Sequence, residues 1–80
     1  MNAELELKKI INEIREDAGR DQVTDIIDQS NLREDLEFDS LELAVLTVRL
    51  EARFRVDVFE DGMVQTVGEV LQKISKKAEF

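Results

Sequence analysis

Eighty residues are enough for one small domain, and a domain of that size leaves much of its surface exposed and is only marginally stable. The chain has no cysteine, histidine, proline, tryptophan or tyrosine. That removes disulfide bracing, thiolate chemistry, and the commonest general base and metal ligand, so a self-contained enzyme is disfavoured and no metal site is expected. With 19 acids against 11 bases the net charge is −8, which disfavours nucleic acid and anionic membranes and favours partners with basic patches. No apolar run approaches the ~20 residues that would span a bilayer. Met1 to Lys9 alternates charged and apolar residues, unlike a secretory signal. The expectation is a monomeric, cytoplasmic, single domain over residues 1–80.

In chain order, Leu7, Ile10, Ile11 and Ile14 follow the i, i+3, i+4, i+7 spacing of an amphipathic helix. Glu4 and Glu6 complement the positive end of its dipole, and Ala18-Gly19 reads as its stop. Residues 19–39 form a long first loop, unusual in a compact domain. Val23, Ile26, Ile27, Leu32, Leu36 and Phe38 supply apolar side chains to dock it, and Ser30-Asn31 suggests a turn inside it. Asp39-Ser40-Leu41-Glu42 then places a helix-capping residue three positions before a glutamate. The helix it opens should run to about Phe54.

At about 100° per residue the apolar residues of this middle helix fall on two sides. Leu43, Leu46, Leu50 and Phe54 lie on one, with Thr47 among them, and Leu41, Ala44, Val45 and Val48 on the other. A surface helix ordinarily has one apolar stripe, so either this helix is central or its second stripe meets a partner. Residues 55–65 read as a short extra helical turn with Val56, Val58, Phe59 and Val64 inward. Val67, Val70, Leu71 and Ile74 repeat the helical spacing after a capping box at Thr66-Val67-Gly68-Glu69. Val56-Asp57-Val58 has no second strand to pair with.

Ser40 is the residue with chemical promise. As the first residue of a helix capped by Asp39, its hydroxyl lies at the positive end of the dipole beside unpaired backbone N–H groups, a favourable place for a phosphate diester. From Glu34 to Val48 there are five acids and no basic residue. No neighbour in sequence can activate Ser40, which therefore reads as an acceptor of chemistry done by another protein rather than as a nucleophile. Any serine at a helix start is most simply part of the cap. The acids around it are most simply a solvated face, but collectively they would steer a basic surface toward it.

Leu36-Glu37-Phe38-Asp39-Ser40-Leu41, preceded by the Asp35-Leu36 pair, resembles the attachment motif of acyl carrier proteins. The resemblance continues through Leu46, Leu50-Glu51, Phe54, Val58 and Thr66-Val67, and extends to length and acidity. It implies an all-α four-helix bundle with three long helices, one short helix and a long first loop. It also implies a 4'-phosphopantetheine arm on Ser40, moved there from coenzyme A by a phosphopantetheinyl transferase that supplies the base and the magnesium. The thiol of the arm would hold an acyl or aminoacyl group as a thioester, so the chain itself needs no catalytic residue. Leu41, Glu42, Ala44, Val45, Val48 and Glu51 would form the face shown to loading and transferring enzymes.

Two residues depart from that pattern. Glu37 stands where the family usually has glycine, and Val45 where fatty-acid carriers usually show an acid. Arg49, Arg53 and Arg55 further dilute the acidity. These departures favour a dedicated carrier for a specialised pathway, with an aminoacyl or peptidyl carrier of a nonribosomal-peptide-like pathway as the alternative. An unmodified interaction module would be expected to lose the serine. A calcium loop at Asp61-Gly62 lacks alternating acidic ligands and a closing glutamate. A serine hydrolase lacks both histidine and a lysine three residues after Ser40.

Overall fold

The computed structural model describes residues 3–24, 26–59, 62 and 64–78, the side chains of 77 and 78 excepted. Three helices carry it: α1 (Ala3–Asp17), α2 (Ser40–Phe54) and α3 (Val67–Ala78). Each follows the spacing seen in the sequence, and α1 packs against both α2 and α3. Among the described residues there is no strand beyond one isolated antiparallel bridge, Asn31 to Thr66. It lets Leu32 N–H donate to Gln65 O at 2.8 Å and Val67 N–H to Ser30 O at 3.0 Å, tying the two loops together.

The core draws on every element. Leu7, Ile10, Ile11 and Ile14 of α1 meet Leu43, Leu46 and Leu50 of α2 and Val67, Val70 and Ile74 of α3. The first loop adds Leu32, Leu36 and Phe38, and the second adds Val56, Val58 and Val64. Val23, Ile26, Phe54, Phe59 and Leu71 are half-buried around it. Ile27, counted among the docking residues of the loop, instead points outward and is 58% exposed.

Local stops set the lengths. After α1, Gly19 N–H donates to Glu16 O at 2.9 Å and Arg20 N–H to Arg15 O at 2.8 Å. With Gly19 at φ +80, this is a Schellman ending, for which a residue without Cβ is suited. The α2 stop is less relaxed, because Arg55 takes the left-handed conformation at φ 58. The fourth, short helix expected over 55–65 is not seen among the described residues. Asp57 Oδ1 instead accepts the Phe59 N–H at 3.0 Å, and Gly62 at φ 122 donates back to Phe59 O at 3.1 Å. A side chain that bonds its own backbone two residues on favours a turn over a helix. Glu60, Asp61 and Met63, and with them part of that expectation and of the Asp61-Gly62 loop, lie outside the described residues.

Candidate functional site

Asp39 is the N-cap of α2 in an extended conformation, and the capping box is complete. Its Oδ1 accepts the Glu42 N–H at 2.8 Å, and Glu42 Oε1 accepts the Asp39 N–H at 3.1 Å. A cap of this kind contributes about 1 kcal/mol. Ser40 follows as the first helical residue and is exposed. Among the described residues no hydrogen bond engages its hydroxyl and no base stands against it. The hydroxyl is thus open to a reagent, at a helix end whose first N–H groups have no intrahelical acceptor.

Most acids near Ser40 have structural work. Asp35 Oδ2 accepts the Asn31 N–H at 2.6 Å. Asp39 and Glu42 form the cap, and Arg20 Nη1 lies 2.9 Å from both Glu42 oxygens. Glu42, expected on the partner face, is 8% exposed and committed to these contacts. Glu37 is exposed and sits at φ 61, in the left-handed region. Glycine occupies that region freely, whereas other residues pay a conformational cost. Glu37 thus holds, as a residue with a Cβ, a backbone conformation that glycine adopts freely.

The two sides of α2 separate. Leu46 and Leu50 are fully buried and Leu43 nearly so, while Leu41 and Val48 are 73% and 66% exposed. Ala44 and Glu51 are exposed beside them. Val45, placed on the outer side by helical arithmetic, is half-buried and packs against the core. Arg49 reaches Glu13 at 3.7 Å and Asp17 at 3.1 Å, and Arg53 reaches Glu6 at 2.8 Å. These two arginines thus face acids of α1, and only part of their charge is shown alongside Leu41 and Val48. Exposed pairs of this kind add roughly 0–1 kcal/mol each.

Three polar residues that hold the site escaped the sequence reading. Asn12, nearly buried, donates from Nδ2 to Val23 O at 3.0 Å and accepts the Val23 N–H on Oδ1 at 2.7 Å. Arg15, 8% exposed, donates from Nε to Asp21 O at 2.9 Å and from Nη1 to Leu36 O. Arg20 secures Glu42. The available signal was spacing, since Arg15 continues the Leu7–Ile11 row by another step of four and so sits on the buried face.

The fold and site together define a small helical domain that presents an open serine hydroxyl at the start of its middle helix. The family model described as "Phosphopantetheine attachment site" matches residues 8–74. Over 80 residues the chain is 35% identical to the acyl carrier protein of Desulforapulum autotrophicum, covering 98% of this chain and 100% of that protein. The chain belongs to the acyl carrier protein family. Its cofactor is phosphopantetheine, and it is a carrier and not a catalyst. Among the described residues no helix is long and apolar enough to cross a membrane.

Proposed function

We propose that Ser40 bears the phosphopantetheine arm and that the chain is a dedicated carrier for one acyl-modifying pathway, working in the cytoplasm as a monomer. The observation that carries the reading is the exposed Ser40 hydroxyl at the start of α2, held by the Asp39–Glu42 capping box. In loading, the Ser40 Oγ–P bond forms while the pyrophosphate linkage of coenzyme A breaks. The nucleotide portion leaves and the serine proton passes to the transferase. The amides at the start of α2 favour the anionic diester that results. Once bound, the arm supplies the thiol that this cysteine-free chain lacks.

Leu41, Ala44 and Val48 with Glu51 form the face offered to loading and transferring enzymes. Val45 contributes an apolar shoulder to it, and Glu42 acts beneath it by fixing the cap. The scarcity of free acids along this face supports a partner other than the general fatty-acid machinery. An aminoacyl cargo is the second reading, supported by the same apolar Val45. The test is incubation of the apo protein and of Ser40→Ala with coenzyme A and a broad-specificity phosphopantetheinyl transferase. One arm on the wild type and none on the variant are expected. A labelled variant, or a wild type that several transferases leave unmodified, refutes the assignment. Challenge of the loaded protein with acyl- and aminoacyl-transferring enzymes separates the two cargo readings.

A further inference from the structure

We infer that Arg15 and Arg20 are positioning residues for the attachment serine, an inference that rests on Ser40 being the loaded residue. The Arg15 guanidinium bridges the two ends of the first loop, donating to Asp21 O just after α1 and to Leu36 O just before Glu37. It is nearly buried and has no carboxylate partner among the described residues, so both carbonyl contacts fall to its planar fork.

Glu37 holds φ 61 between two fixed neighbours. Leu36 N–H donates to Asn31 O at 3.1 Å, and Phe38 N–H donates to Leu32 O at 3.0 Å. A left-handed non-glycine residue persists only where its surroundings over-determine it, and the Arg15–Leu36 bond is one of those constraints. On the other side of Ser40, Arg20 grips both oxygens of Glu42, and Glu42 in turn accepts the Asp39 N–H. The backbone on either side of Ser40 is thus anchored to two arginines from α1 and its ending. Together they fix where the hydroxyl emerges when an enzyme must bring it in line with a phosphate. Misplacement of a reacting atom by even ~1 Å can cost up to about a hundredfold in rate.

The experiment measures transferase loading of the apo chain with coenzyme A for wild type, Arg15→Lys, Arg20→Gln, Glu37→Gly and the Arg15→Lys/Glu37→Gly double variant. The temperature is one at which circular dichroism shows each scored variant folded. Lysine keeps the charge but cannot bridge two carbonyls as a fork does. Arg15→Lys is expected to lose about tenfold in kcat/KM, mostly in kcat, as a positioning loss does. Arg20→Gln should lose less, in the same direction. The double variant should recover most of the loss, because glycine holds the left-handed turn without a clamp. A merely structural role predicts loading that follows the folded fraction, with no such recovery. Wild-type loading rates in folded Arg15→Lys, or a loss that Glu37→Gly does not relieve, overturn the inference. Should Arg15→Lys not fold, undiminished loading of Arg20→Gln overturns it instead. A wild type that is never loaded refutes the Ser40 assignment and this inference with it.

Discussion

Glu37→Gly should stabilise the protein. At φ 61 the glutamate backbone carries a cost that glycine does not, about 1–2 kcal/mol for an L-residue in the left-handed region. Glycine returns part of that by loosening the unfolded chain, about 0.5–1 kcal/mol. The net expectation is a gain of about 0.5–1 kcal/mol, which for a domain of this size raises Tm by about 2–8 °C. Glu37 is exposed, with no described hydrogen bond to lose, so no packing loss should mask the effect. The substitution also removes one of 19 acids from a chain of net charge −8, so Glu37→Ala and Glu37→Gln serve as controls that drop the charge but keep the strained backbone. Urea titrations at fixed protein concentration would read it as a higher midpoint with an unchanged slope. If Glu37→Gly is no more stable than Glu37→Ala, the left-handed turn is not the source of the cost and the reasoning fails.

Three other expectations follow from burial, close approach and charge. Leu46→Ala or Leu50→Ala should destabilise by about 2–5 kcal/mol, whereas Leu41→Ala or Val48→Ala should stay within about 1 kcal/mol; equal losses in urea melts would mean that the two sides of α2 are assigned wrongly. Gly68→Ala should gain no stability by the same assay, although alanine is favoured over glycine within a helix by about 1 kcal/mol, because the added Cβ would lie 3.0 Å from Asp28 O and 3.1 Å from Asp28 Cβ; a clear gain would show that the backbone at Asp28 can yield. Sodium chloride from 10 to 300 mM at pH 7 should raise Tm, since about 0.1 M salt screens charges beyond about 10 Å; a flat or falling Tm would mean that local pairs such as Arg53–Glu6 outweigh the net repulsion.

The three helices and the α2 cap were legible because both are written in nearby residues: apolar spacing for the one, Asp39 with Glu42 for the other. The separation of Leu46 from Val48 was legible for the same reason. The conformation of the first loop was not. It depends on Asn12, Arg15 and Arg20 reaching groups between 6 and 22 positions away, and such contacts leave no periodic trace. Ile27 shows the same limit, since a lone apolar loop residue has no spacing to assign it a side. Glu42 read as a surface acid because its charge is visible in sequence and its partner Arg20 is not. Val45 read as outward because helical arithmetic gives only a direction, whereas in the fold it is half-buried against the core. The short helix expected over 55–65 is not seen among the described residues, where Asp57 bonds its own backbone two residues on and Gly62 sits at φ 122. Glu37 marked a departure from the family's glycine, but only the backbone shows that Glu37 itself sits in the left-handed region.

The central claim is that Ser40 carries the arm, and peptide mass mapping of the loaded protein tests it most directly. Trypsin cleavage after Arg33 and Arg49 releases residues 34–49, in which the only hydroxyl side chains are Ser40 and Thr47. Thr47 donates its hydroxyl to Leu43 O at 2.9 Å within the helix, which leaves Ser40 as the open acceptor. After loading with coenzyme A, the whole added mass should appear on that peptide, and fragmentation should place it on Ser40. The mass of one arm on any other peptide, or on Thr47, would contradict the account.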